Sequence, residues 1–164
     1  MSQKKIKKKN LENLIEISES LKNFEHFVFY GTLLGLTREN DILKNDDDID
    51  FLVNINDKDK ILNIFKKSEI FKINEKVSNN FFVQLVNIKE DFKTFVDLYF
   101  YLNEDDKDFL VEKHNFLSAI NIESKSIHIP KKIIFPIKKK KVFSTLMSQI
   151  CLKKFVNFFM AKIG

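Results

Sequence analysis

At 164 residues the chain has room for one domain with a real core and none for a second. Its 44% apolar and 31% charged residues are the mix of a soluble protein, and one cysteine, Cys151, excludes an internal disulfide and a multi-cysteine zinc site. The net charge of +5 comes mostly from lysine, in "KKIKKK" near the start and the run Lys138 to Lys141; such surfaces meet phosphates, nucleic acid or anionic membranes, or are simply solvated.

Residues 1–10 read as a basic tail that runs into the first helix. Leu11, Leu14, Ile15, Ser18 and Leu21 then recur at helical spacing, with Glu12, Glu16 and Glu19 elsewhere on the cylinder. "HFVFY" at 26–30 is an aromatic and β-branched run that stops at Gly31, which predicts a strand ending in a turn. Thr32 then stands where a hydroxyl can cap a short helix through Leu33, Leu34 and Leu36.

"DDIDFLVNI" predicts a second strand, and 57–67 a helix with Ile61, Leu62 and Phe65 inward. "NFFVQLVNI" at 80–88 and "FKTFVDLYFYL" at 92–102, joined by "KED", predict a β-hairpin whose second strand carries Asp97. After the loop "NEDDKD", Pro130 and Pro136 favour edge strands or turns. Residues 144–164, apolar around most of the circumference, predict a terminal helix that packs on the domain or lies at a membrane surface.

The chemistry concentrates in Asp46, Asp47, Asp48 and Asp50. In an extended strand, side chains alternate between faces, so Asp48 and Asp50 project together while Ile49 and Phe51 point the other way. Two carboxylates held a few Å apart repel, and one must take up a proton unless a cation lies between them. A hard divalent cation resolves this, and Mg²⁺ characteristically combines one or two carboxylates with substrate phosphates. Asp97, a single acid inside an otherwise apolar strand, is the candidate third member, as ligand or as base.

A solvated acidic loop is the bland reading of the run, but the apolar residues resume at Ile49 and Phe51 as a strand requires. The spacing, central glycine and closing glutamate of a calcium-binding EF-hand are missing. Gly31 allows a close backbone approach, and the helix behind it offers free N–H groups to a phosphate. Arg38 adds a candidate phosphate contact. His26, His114 and His128 are spread too widely for a metal site and read as structural.

Taken together, "GTLLGLTRENDILKNDDDIDF" resembles the LicD family, phosphocholine and phosphoalditol transferases related to fukutin-type proteins, whose pattern is a GTLLG helix, an arginine and a W-D-D-D-I-D strand. "IIFPIKKKKVF" is similar to a later segment of that family, so the resemblance spans residues 30–143. Asn45 replaces the family's usual tryptophan, and "ENDILKN" replaces a glycine-containing loop.

The resemblance implies an α+β fold, a nucleotidyltransferase-like mixed sheet flanked by helices in a single domain over 11–143. It also implies metal ligation by Asp48, Asp50 and Asp97, with Mg²⁺ as the ion or Mn²⁺ in its place, and donor contacts from Gly31, Thr32, Gly35 and Arg38. The implied reaction moves a substituted phosphate from a CDP-linked donor to a hydroxyl of a surface or lipid-linked glycan. Nucleotidyl transfer from an NTP to a small molecule uses the same three acids and stays open beside it. A non-catalytic basic adaptor for RNA or membrane is the third reading, but it leaves the aligned aspartates unexplained, since acids oppose nucleic-acid binding. The expected location is the cytoplasm, at the inner face of the membrane where the acceptor is lipid-linked.

Overall fold

The computed structural model describes residues 3–89, 93–114, 126–135, 138–142 and 145–149. Helix α1 (Gln3–Ser20) leads into strand β1 (His26–Val28), helix α2 (Tyr30–Arg38) and strand β2 (Asp48–Asn54). A 3-10 turn (Ile55–Asp57) and helix α3 (Lys58–Lys66) follow, then β3 (Phe71–Ile73), β4 (Phe82–Asn87), β5 (Phe95–Asn103), β6 (Phe109–Glu112) and β7 (Ile127–Pro130). Helix α4 (Lys131–Ile134) precedes the strands β8 (Lys138–Val142) and β9 (Thr145–Gln149).

Strands β1 to β7 form one mixed sheet of seven strands in the order β1-β2-β5-β4-β3, with β6 on β5 and β7 on β6. At its centre β2 runs parallel to β5. A parallel pair needs a long crossover, here supplied by α3 and the β3–β4 pair. Both central strands are buried along most of their length, as strands inside a sheet covered on both faces are. Tyr101 pairs with Asn54 on one side and Glu112 on the other, so β6 takes up the edge of β5 where β4 ends.

The sheet has two unlike faces. Ile49, Phe51, Val53, Val83, Leu85, Val96, Leu98 and Phe100 are buried on one, and they belong to the same core cluster as Leu14, Ile17 and Leu21 of α1 and Ile61 and Phe65 of α3. The other carries Asp48, Asp50, Gln84, Asp97 and Tyr99, brought together by strand alternation and register. The predicted β-hairpin across Asp97 is the antiparallel pair β4–β5.

Several predicted elements come out differently. Helix α1 already includes the lysine run from Gln3, and its buried stripe is Asn10, Asn13, Leu14, Ile17 and Ser18, while Leu11 and Ile15 are only half-buried. The two asparagines can be buried because each finds hydrogen-bond partners in the strands below. Helix α2 begins at Tyr30, so Thr32 lies within its first turn and does not cap it. The terminal helix expected from residue 144 does not start there, since Thr145–Gln149 pair as a strand with Lys138–Val142; the rest of that prediction lies outside the described residues. An apolar run without clear periodicity suits either element, and here the pairing partner decided.

Candidate metal centre

The register of the two central strands builds the site. Asp50 lies directly beside Asp97 in the parallel pair, with Asp48 on the same face of β2. Carboxylate oxygens of Asp48, Asp50 and Asp97 all lie within 4.8 Å of one another. Asp50 and Asp97 are 4% and 6% exposed and Asp48 is half-buried, so three carboxyl groups share a spot with little water. Asp46, Asp47 and Asp48 form a second such group on the approach to β2, where Asp47 is exposed.

Asp50 and Asp97 are each held by neighbours. The Thr32 N–H, in the first turn of α2, donates to Asp50 Oδ2 at 3.4 Å, and the Asp50 N–H donates to Thr32 Oγ1 at 2.8 Å. The helix start that was expected to receive a phosphate thus has one of its N–H groups on a carboxylate, where the helix dipole also favours negative charge. On the other side, Gln84 Nε2 donates to Asp97 Oδ1 at 3.1 Å, and Asn74 Nδ2 donates to Gln84 Oε1 at 2.8 Å. That second bond fixes which end of the Gln84 amide faces Asp97.

Electrostatically the cluster is under pressure. Burial, then repulsion from Asp97 and Asp46, pushes the Asp48 carboxyl up to about 7. Asp97 is pushed up to about 6 by burial, against the opposing hydrogen bond from Gln84. Asp50 is driven well above the ordinary carboxylate range by burial first and by Asp48, Asp97 and Asp46 after it, with the Thr32 N–H opposing. Burial also raises Asp46. Among the described residues Asp46 Oδ2 is buried without a hydrogen-bond partner, and it lies 2.7 Å from where a Cβ on Gly31 would stand.

These observations fit a divalent cation. The donors are all carboxylate oxygens, they converge, and they pay for their mutual approach in raised proton affinity that a cation would relieve.

The other predicted residues divide. Gly31 and Thr32 stand at the start of α2 next to the acids. Gly35 does not: an added Cβ there would meet Asp41 O at 2.7 Å and Leu43 N at 2.8 Å, so this glycine lets α2 lie against the loop that leads to β2. Arg38 is exposed at the far end of α2, about 12 Å along the axis from Tyr30, and is not brought to the acids.

Sequence reading missed three contributors. Gln84 was legible in principle, since pairing β4 with β5 sets it opposite Asp97. Tyr30 and Glu112 were not. Tyr30 has a left-handed backbone, φ 34°, uncommon and strained for a bulky residue. Its ring packs 4.9 Å from that of Tyr99, and its hydroxyl donates to Glu112 Oε2 at 3.1 Å. Glu112 is fully buried, which pushes its carboxyl up to about 7. His114 stacks on Phe82 and His128 on Phe109. Among the described residues, no helix is long and apolar enough to cross a membrane.

A family model described as LicD/FKTN/FKRP, nucleotidyltransferase domain, matches residues 23–149. No curated protein matches the chain. Among solved structures, a candidate nucleotidyltransferase from Thermotoga maritima shares 14% identity at a TM-score of 0.48, over 92% of this chain and 83% of that one.

Proposed function

Because the chain belongs to the LicD/FKTN/FKRP family of nucleotidyltransferase domains, we propose that it is a metal-dependent transferase acting on a CDP-linked donor. It moves a substituted phosphate, such as phosphocholine or glycerol phosphate, to a hydroxyl of a cell-surface or lipid-linked glycan. The observation that carries this reading is the convergence of Asp48, Asp50 and Asp97 on one sheet face beside the start of α2.

In this reading Asp48 and Asp50 hold Mg²⁺, or Mn²⁺, and Asp97 completes the set as a further ligand or as the base for the acceptor hydroxyl. When bound, the cation supplies neutralisation of the charge that builds on the transferred phosphoryl group. Thr32 orients Asp50 through the paired bonds between the two residues. Gln84 favours the ionised form of Asp97 by donating to it, against the burial that opposes it. Gly31 leaves room for Asp46 at the mouth of the site. Gly35 and Arg38, the latter exposed at the C-terminal end of α2, are carried as donor contacts by the family resemblance alone. The work is done in the cytoplasm, at the inner face of the membrane when the acceptor is lipid-linked.

The family's description as a nucleotidyltransferase domain favours one second reading, transfer of a nucleoside monophosphate from an NTP. Calorimetric titration of CDP-choline, CDP-glycerol, CDP-ribitol, CTP and ATP, with and without Mg²⁺, separates the two. Binding of a CDP-alcohol that needs Mg²⁺ and is lost in Asp50→Asn is the expected result, with CMP released on turnover. Preference for an NTP with pyrophosphate release selects the second reading, and no nucleotide binding in any condition refutes both.

A further inference from the structure

Helix α1 ends before the residues matched by the family model begin, yet it is bonded to the chain segments that carry the acids. Three of its side chains, one turn apart, make these contacts in succession. Lys7 Nζ pairs with Asp41 Oδ2 at 2.6 Å, in the loop that leads to β2. Asn10 Nδ2 donates to Asp46 O at 3.1 Å and to Asp48 O at 3.4 Å. Asn13 Nδ2 donates to Thr94 Oγ1 at 2.9 Å, just before β5, and Asn13 Oδ1 accepts from Asn87 Nδ2 at 2.7 Å. One helix face therefore grips the entry to β2 and the entry to β5, the two strands whose relative placement brings Asp48 and Asp50 to Asp97.

Asn10 is fully buried, and its Oδ1 has no hydrogen-bond partner among the described residues. Such an orphaned acceptor costs free energy, which an apolar residue of the same shape would not. What distinguishes asparagine here is the N–H₂ group, placed between two carbonyls that flank the exposed Asp47.

We propose that Asn10 is a positioning residue for the acid site, setting the approach of Asp46 and Asp48 from a helix outside the family-matched residues, with Asn13 doing the same for β5. The inference rests on the reading of that site as a cation site. Partners behind metal ligands, when removed, cost on the order of 10- to 100-fold in metal affinity.

The test is Mn²⁺ titration by calorimetry together with amide hydrogen exchange, on the full chain and on Asn10→Leu. Asn10→Ser, too short to span both carbonyls, stands in if the leucine variant does not fold. Expected are a fall in Mn²⁺ affinity of about tenfold or more, and faster exchange at the Asp48 and Asp50 amides with the β3–β4 pair unchanged. Unaltered Mn²⁺ affinity overturns the proposal, as does exchange accelerated equally everywhere, which marks a merely structural role. If the unmodified chain binds no Mn²⁺, the cation reading itself fails. Exchange at Asp48 and Asp50 then decides, and unchanged rates there overturn the role of Asn10.

Discussion

At Gly31 an added methyl group would meet the free end of the Asp46 side chain, whereas at Gly35 it would meet backbone, Asp41 O and Leu43 N. The first neighbour can swing away and the second cannot. Gly35→Ala should therefore cost about 1–3 kcal/mol, the usual penalty of overpacking, visible as a lower Tm. Gly31→Ala should change stability by less than about 1 kcal/mol, since alanine also favours the helix, but it displaces Asp46 and should weaken Mg²⁺ binding by calorimetry. Equal loss of stability in both variants would contradict this division. Asp50→Asn removes one of three crowded carboxyl groups, so the metal-free variant should melt roughly 2–4 °C higher, the shift that ~1 kcal/mol produces in a chain of this length, while losing metal-dependent nucleotide binding. The aspartates were legible as a pair because alternation along a strand needs nothing but the sequence. Tyr30 and Glu112 were not, because residues so far apart meet only through β6 lying beside β5.

For the elements, the parallel pair β2–β5 is the part on which the site depends. Leu98 is fully buried on the face opposite the acids, between Phe51 and Val83 in the register. Leu98→Ala should cost about 2–5 kcal/mol by opening a cavity in the core, measured by urea unfolding, while Ile64→Ala, at a 37% exposed position of α3, should stay within about 0.5 kcal/mol. Apart from the short strand β3, which no prediction covered, strand and helix types up to β5 were readable from periodicity and turn residues. The buried stripe of α1 was not, because Asn10 and Asn13 look like solvent-facing residues until the carbonyls and Thr94 below them are in place. Thr145–Gln149 misled for a similar reason: the lysine strand that pairs with them is a tertiary fact.

Over the whole molecule the raised carboxyls fix a pH dependence. Asp48 is pushed to about 7, Asp97 to about 6 and Glu112 to about 7, against ordinary carboxylate values near 4. Between those limits the folded chain binds more protons than the unfolded chain, so this contribution to stability is fully present below about pH 4 and is lost as the pH rises through about 6–7. Metal-free protein should accordingly melt higher at pH 5.5 than at pH 8 in EDTA, and Mg²⁺ should recover much of the difference at pH 8. A Tm that rises from pH 5.5 to pH 8 without metal would show that these acids are not crowded in solution.

The sequence by itself determined the single α+β domain, the order of elements up to β5 apart from β3, and the three aspartates with the glycine turn beside them. These depend on short-range rules: alternation in strands, glycine at close approaches, apolar spacing in helices. The tertiary structure alone decided that α2 begins at Tyr30 and directs an N–H at Asp50, and that Arg38 stands away from the acids. It also decided that Gln84 orients Asp97 and that a buried asparagine of α1 holds the entry to β2. Each of these depends on which strand lies beside which, and a pairing between distant segments is set by the free energy of the whole core, not by any local pattern.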